Sequence, residues 1–271
     1  MKRSVLLAAI VIASAGVLAV AQAPAPAYRA PRVADGKPNL NGIWQALNEA
    51  DWDIEGHQAA PGRVMALGAE DAVVPGLGIV EGGPLPYLPD ALAKRKANFE
   101  KRLTADPVIK CYLPGTPRAM YLPQPFQIIQ SQKHIMMAFQ YAGAIRTIYM
   151  ADQTEAPADS WMGWSNGKWE GDTLVIDTTG FNDSSWFDRS GNFHSDQLHV
   201  VERITPASPD HLNWEATIDD KKVFSRPWKM SMPLYRRKEK GARLMEFRCV
   251  EFVEDLIYGA LRKPGTPART Q

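Results

Sequence analysis

The stretch from Trp161 to Arg203, WMGWSNGKWEGDTLVIDTTGFNDSSWFDRSGNFHSDQLHVVER, concentrates the side chains able to hold a small molecule or move a proton. It carries four tryptophans (Trp161, Trp164, Trp169, Trp186), two histidines (His194, His199) and acids at Glu170, Asp172, Asp177, Asp183, Asp188, Asp196 and Glu202. Aromatic walls supply apolar area for affinity, and a few polar groups supply orientation or proton transfer, which together are the needs of a small-molecule pocket. Gly, Asn and Asp residues break the stretch into short pieces, two of which alternate as strands.

HSDQLHVVER brings His194, Asp196, His199 and Glu202 within nine positions. On a strand, Leu198, Val200, Glu202 and Ile204 share one face while His199, Val201 and Arg203 share the other, so His199 and Glu202 point to opposite sides unless a bulge intervenes. If the Leu198/Val200 face is inward, Glu202 is a buried carboxylate in need of a partner, and Arg146 is the natural candidate. If the other face lines a cavity, His199 and Arg203 are its polar groups. His194 follows the Gly191-Asn192 turn; beside Ser195 and Asp196 it has the makings of a general base held by a carboxylate, or of a rim residue over a capped turn.

The other polar residues read more plainly. The His-x4-His-x2-Glu spacing is not the HExxH helix of zinc proteases, and a metal site would need a further ligand such as His134 or Asp188, so no metal is expected. Glu170-Gly171-Asp172 is a hairpin turn, with Trp169 packed at the barrel end. Asp177 faces either the pocket or solvent, since alternation alone leaves the direction open. Trp186, Phe187 and Asp188 lie on an irregular loop, where aromatic residues point to binding. No GxSxG elbow supports a nucleophilic serine, and no carboxylate pair is singled out for glycoside hydrolysis.

These groups need elements to position them. After Phe126 the hydrophobic period is two, with strands predicted at Phe126–Ser131, Lys133–Tyr141, Ala144–Met150, Asp172–Thr179, Gln197–Thr205, His211–Asp219, Trp228–Leu234 and Leu244–Phe252, and an earlier one at Asn39–Gln45. Short links between sequential strands predict an all-β fold: an antiparallel lipocalin-like barrel or strongly curved sandwich. One peripheral helix is predicted over Asp90–Thr104, with Asp90 as N-cap and Leu92, Arg95/Lys96, Phe99 and Leu103 on one face. The Gly- and Pro-rich stretch 49–89 reads as a long loop that covers a site or is partly disordered.

The N-terminus reads as a secretory signal: Lys2 and Arg3, an apolar run from Ser4 to Val20, then Ala19-Val20-Ala21 as a cleavage site, with cutting after Ala21. The expected organisation is a signal peptide at 1–21, an Ala/Pro-rich tether at 22–38, a single barrel domain at 39–255 and a C-terminal tail at 256–271. Export implies a periplasmic or secreted protein with no membrane span after cleavage. In that oxidising setting Cys111 and Cys249, the only cysteines, are expected to form a disulfide rather than remain two separately buried thiols. A formal net charge of +1 with both signs interspersed argues against a nucleic-acid partner.

The motifs NLNGIWQ, DPVIKCYLPGTPRAMYLPQPFQIIQ, IRTIYM, WMGWSNGKWEGDTLVIDTTGFND, SWFDRSGNFHSDQLHVVER, DDKKVFSRPW and EFRCVEF run from Asn39 to Phe252. Together they resemble an uncharacterised family of exported bacterial lipocalin-like all-β proteins. The resemblance implies the barrel and export, and implies no particular activity. Where that family usually has His, this chain has Trp164, which removes one polar group from the pocket. Two functions fit the sequence. The first is a cofactor-independent acid–base enzyme (lyase, isomerase, hydratase or cyclase) acting on an apolar or aromatic small molecule. In it His194, His199, Glu202 and Asp196 do the chemistry while Trp161, Trp164, Trp186, Asp177, Asp188 and Arg146 line the pocket. The second is a non-catalytic periplasmic binding protein for a hydrophobic ligand.

Overall fold

The structure, a computed structural model, describes residues 28–62 and 72–264; the expected signal segment with its cleavage site, the start of the Ala/Pro-rich stretch and the end of the tail lie outside the described residues. Nine strands close into a barrel in chain order: β1 Gly42–Gln45, β2 Phe126–Gln130, β3 His134–Phe139, β4 Ile145–Tyr149, β5 Trp164–Glu170, β6 Thr173–Thr179, β7 His199–Ser208, β8 His211–Asp219 and β9 Trp228–Arg236. β1 completes the closure by pairing with both β2 and β9. Neighbours are antiparallel except β4 and β5, which run parallel through Ile148↔Ser165 and Tyr149↔Asn166. The antiparallel expectation fails at this seam because residues 150–163 carry the chain back before β5 begins, where a hairpin would have reversed it. β5 itself was not predicted, since Ser165, Asn166 and Gly167 interrupt its hydrophobic pattern.

Alternation decides what faces inward. Val200, Glu202 and Ile204 of β7, Leu212, Trp214, Ala216 and Ile218 of β8, and Trp228, Met230, Met232 and Leu234 of β9 are all buried. Ile135 and Met137 of β3, Arg146 and Ile148 of β4, and Leu174, Ile176 and Thr178 of β6 are buried as well. The interior is therefore packed with side chains. Its one polar cluster is the pair Arg146–Glu202, both essentially inaccessible to solvent. Around them Trp214 Nε1 donates to Glu202 Oε1 at 2.9 Å, Arg146 Nε donates to Ser165 Oγ at 2.9 Å, and Arg146 Nη2 donates to Thr178 Oγ1 at 2.8 Å. Of the two arrangements that alternation left open, the structure has the one with the Leu198/Val200 face inward and Arg146 as the partner of Glu202.

β1 is short and meets only the end of β9, so the first half of β9 has no strand on the side away from β8. Residues 79–81 fill that gap: Val80 bridges to Met230, Glu81 N donates to Lys229 O and Ser231 N donates to Ile79 O. An open edge is thereby covered. Residues 28–38, expected as a tether, are instead fixed to the barrel through Asn39 N→Pro31 O and a two-bond ion pair between Arg32 and Asp172.

The peripheral helix is α1, Pro89–Glu100, followed by one further turn, α2, Arg102–Ala105. Its N-cap is Leu88 with no side-chain cap, and Asp90 lies inside the first turn; Pro89, with its fixed φ and missing N–H, starts the helix instead. The expected apolar face is also displaced. Ala91 is buried while Leu92 is exposed, because α1 packs on the loop between β6 and β7, where Asn98 Nδ2 donates to Gly191 O and Arg95 Nε to Asn192 Oδ1. Leu244–Phe252 forms no strand. The β1–β9 pairing leaves it no ladder to join, so it runs as a strap held by Met245 N→Gln140 Oε1, Phe252 N→Ile109 O and the Cys111–Cys249 disulfide, then enters helix α3, Val253–Tyr258. No helix among the described residues is long and apolar enough to cross a membrane.

Removing one member of a buried ion pair leaves an uncompensated charge, which costs about 3–5 kcal/mol. Arg146→Met should therefore lose that much stability in urea unfolding, and Arg146→Met/Glu202→Leu should lose less than Arg146→Met alone. A single-variant loss below about 1 kcal/mol would show that Glu202 keeps access to water.

Candidate functional site

The end of the barrel beneath α1 is sealed by the loop 181–195, and its polar groups are nearly all engaged within the protein. Asp188 accepts from Ile54 N at 2.9 Å, Asn192 N at 3.2 Å and Asn192 Nδ2 at 2.6 Å. Burial, together with the nearby Asp53, raises the Asp188 carboxyl above its ordinary value. Asn192 Oδ1 in turn accepts from Tyr87 Oη at 2.9 Å. Beneath the loop, buried Arg118 holds Asp106 through two bonds (2.7 and 2.9 Å) and Asp51 through Nε at 2.7 Å. Tyr121 donates its hydroxyl to Phe187 O at 2.9 Å. A loop can be buried only when its backbone and charges find such partners.

His194 lies inside this layer, between the rings of Phe181 and Phe187. Its Nδ1 is 2.9 Å from Ser195 O, which makes Nδ1 the donor; Nε2 then accepts from Ser185 Oγ at 2.7 Å. Asp220 fixes Ser195 by accepting from its N at 2.6 Å and its Oγ at 2.8 Å. Locally this is the arrangement of a serine activated by a neutral imidazole. Both side chains are buried, however, and a Cβ on Gly115 would run into Ser185 Oγ, so the turn at Gly115 lies directly against the hydroxyl.

The remaining predicted residues do not converge on a pocket. His199 is on the outer wall, where Nε2 meets Asp177 Oδ1 at 3.1 Å, with side-chain exposures of 40% and 56%. Asp177 therefore faces solvent. Asp196, expected beside His194, is an exposed partner of Lys222 at 2.7 Å, and that hydrogen bond holds its carboxyl below the ordinary range; Asp220 occupies the role foreseen for it. Glu202 is engaged by Arg146 inside the wall, opposite to His199. Trp164 stacks on Tyr149 with ring centroids 4.4 Å apart, Trp161 leans on Tyr112 at 5.4 Å, and Trp186 packs half-buried against the core, bridged to Phe193. Among the described residues no group of three or more His, Cys, Asp and Glu could hold a metal ion.

Concave surfaces lie outside the barrel wall, among them one of about 250 Å³ beside Trp44, Leu212 and Arg236. A cleft of about 210 Å³ is walled by Val108 and Ile109, by Leu122 to Gln124, by Tyr141 and by the strap residues Phe247, Cys249, Val250, Phe252 and Val253, with Asp51, Arg189 and Glu254 at its polar side. Its frame is fixed. Tyr141 Oη donates to Val108 O at 2.7 Å, and its ring contacts Phe247 at 5.1 Å. Burial pushes the Tyr141 hydroxyl well above its ordinary value, so it stays a donor. Arg189 Nη1 pairs with Glu254 at 2.8 Å while the guanidinium lies 4.0 Å from the centroid of the Trp52 ring. The sequence did not single out these residues. They come from six separate segments, and only the cysteine pair Cys111–Cys249 signalled that two of them meet. Compared with known proteins, the chain matches no family model and no curated protein sequence.

Burial lowers the affinity of His194 for a proton, outweighing the opposing Ser195 carbonyl and Asp220. The unfolded chain thus binds that proton more readily, so the His194 contribution to stability is complete above pH 6.5, the ordinary value, and declines as pH falls from there towards the folded value. Denaturant midpoints measured between pH 5 and 8 should show this decline, and His194→Gln should flatten it. Gly115→Ala, at φ 75° and against Ser185, should cost about 2 kcal/mol or more.

Proposed function

We propose that this is an exported, non-catalytic binding protein that carries an apolar or aromatic small molecule in the cleft beneath the disulfide-tied strap. The observation that carries this reading is the cleft itself: apolar on most sides, polar along one edge, and framed by backbone hydrogen bonds and a disulfide. Pre-formed apolar concavities with few polar groups are the usual form of a small-molecule site. The disulfide fits an oxidising compartment, and with the Lys2/Arg3 and Ser4–Val20 segment it supports a periplasmic or secreted location. The lipocalin-like family resemblance is compatible with such a carrier.

The acid–base enzyme keeps one observation in its favour, the Ser185–His194 hydrogen bond. It requires the Gly115 turn to leave Ser185, and His199, Asp196 and Glu202 would take no part.

The neutral fluorophore N-phenyl-1-naphthylamine tests the cleft directly. It should bind the purified mature protein saturably, at a single class of site. Ile109→Asp, which sets an unpaired charge on the apolar wall, should weaken binding by about tenfold or more. His194→Gln should leave it within about twofold. Equal binding to wild type and Ile109→Asp, or no saturable binding, would count against the cleft, and a large effect of His194→Gln would move the site to the barrel end.

A further inference from the structure

We propose that the ligand of this cleft is an amine: an ammonium group carried on an aromatic or alicyclic body. The proposal rests on the binding reading above and specifies the chemistry of its ligand. Two hydrogen-bond acceptors of the cleft, Gln124 Oε1 and Glu254 Oε2, are buried without a partner. Buried acceptors almost always meet a donor, and leaving one unmet is costly. Glu254 decides the kind of ligand. Its Oε1 holds Arg189, and a carboxylate oxygen can only accept, so Oε2 asks for a donor. An ammonium offers three donors and no acceptor, enough for Oε2 and the Gln124 carbonyl together. A ligand carboxylate would bring lone pairs against lone pairs, and a neutral alcohol could serve only one of the two oxygens.

Charge points the same way. Asp51 and Glu254 line the cleft beside Arg189; behind Asp51, Arg118 is shared with Asp106. Three carboxylates thus face two guanidiniums, a formal excess of one negative charge beside an apolar cleft. A cation neutralises that excess, and its hydrocarbon body takes the wall formed by Val108, Ile109, Leu122, Phe247, Val250 and Phe252. This excludes fatty acids as the intended cargo.

The test is a matched series with one body: 1-naphthylmethylamine, 1-naphthylmethanol and 1-naphthoate, titrated calorimetrically into the mature, oxidised protein at pH 7. The amine should bind about ten- to a hundredfold more tightly than the alcohol, the range of a charge-assisted hydrogen bond, with naphthoate weakest. Glu254→Gln keeps an acceptor for Arg189 while turning a donor towards the ligand. It should abolish the preference for amine over alcohol without preventing alcohol binding. Gln124→Leu should reduce the preference part-way. Equal affinities for amine and alcohol in the wild type would overturn the proposal, as expected if water alone satisfies the two oxygens, while leaving the cleft as an apolar site. A preference for amine that survives Glu254→Gln unchanged would also overturn it. If none of the three compounds binds and N-phenyl-1-naphthylamine also fails, the underlying binding reading fails with it.

Discussion

A carboxylate and a guanidinium inside a nine-stranded barrel set the terms for the rest of this molecule. Glu202 and Arg146 lie on inward positions of β7 and β4, across the barrel from water. Bringing two charges out of water is costly, and their mutual attraction offsets that cost only when the remaining lone pairs and N–H groups are also engaged. Ser165, Thr178 and the Trp214 indole supply most of those bonds, and Arg146 Nη1 is left without an acceptor. Satisfying the pair uses side chains from β4, β5, β6, β7 and β8. The β4–β5 seam, where pairing is parallel and short, is one of the two shortest ladders of the wall, and the bond from Arg146 Nε to Ser165 Oγ ties across it. Polar satisfaction thus also helps close the barrel.

A filled barrel has no room for the cavity that lipocalin-like architecture invites. Concave surface must then form where segments outside the wall meet. At one end the 181–195 loop could have provided it, but that loop is itself a plug, its carboxylate at Asp188 held by two backbone N–H groups and a side-chain amide. In the interior and the plug alike, a buried polar group whose bonds are mostly made within the protein has little capacity left for a ligand. In the lining of the cleft under the strap, two acceptors lack donors beside an apolar wall.

The sequence made the wall legible and left the site obscure for one physical reason. Period-two burial is a local property, so β8, His211–Asp219, could be bounded to the residue, and Arg146 could be named as the partner of Glu202 on one of the two faces that alternation left open. Even the opposition of His199 and Glu202 was visible in the alternation. Leu244–Phe252 alternates equally well and yet forms no strand, because strand formation depends on a free neighbour and the closed ladder offers none. The dense polar loop misled in a related way. Residue types at Trp186, Asp188 and His194 suit a ligand pocket and a buried plug alike, and only the positions of Ile54, Asn192, Ser185 and Asp220 separate the two. Those partners lie far along the chain or carry no pattern of their own.

The strap makes the cleft a separate layer from the fold. The ladder closes through β1 and β9 without any residue after Arg236, so the barrel's backbone bonding is complete before the strap is laid down. The strap owes its position to scattered bonds, such as Phe252 N→Ile109 O, and to Cys111–Cys249, which spans 138 positions of sequence. With so few ladder bonds, ordering that segment by non-covalent contacts alone would have to overcome its conformational entropy. A covalent tie lowers that entropy in the detached state and so favours the docked one. The disulfide therefore stabilises the binding surface more directly than it stabilises the barrel. On the binding reading proposed above, an oxidising environment that forms the bond also completes the cleft.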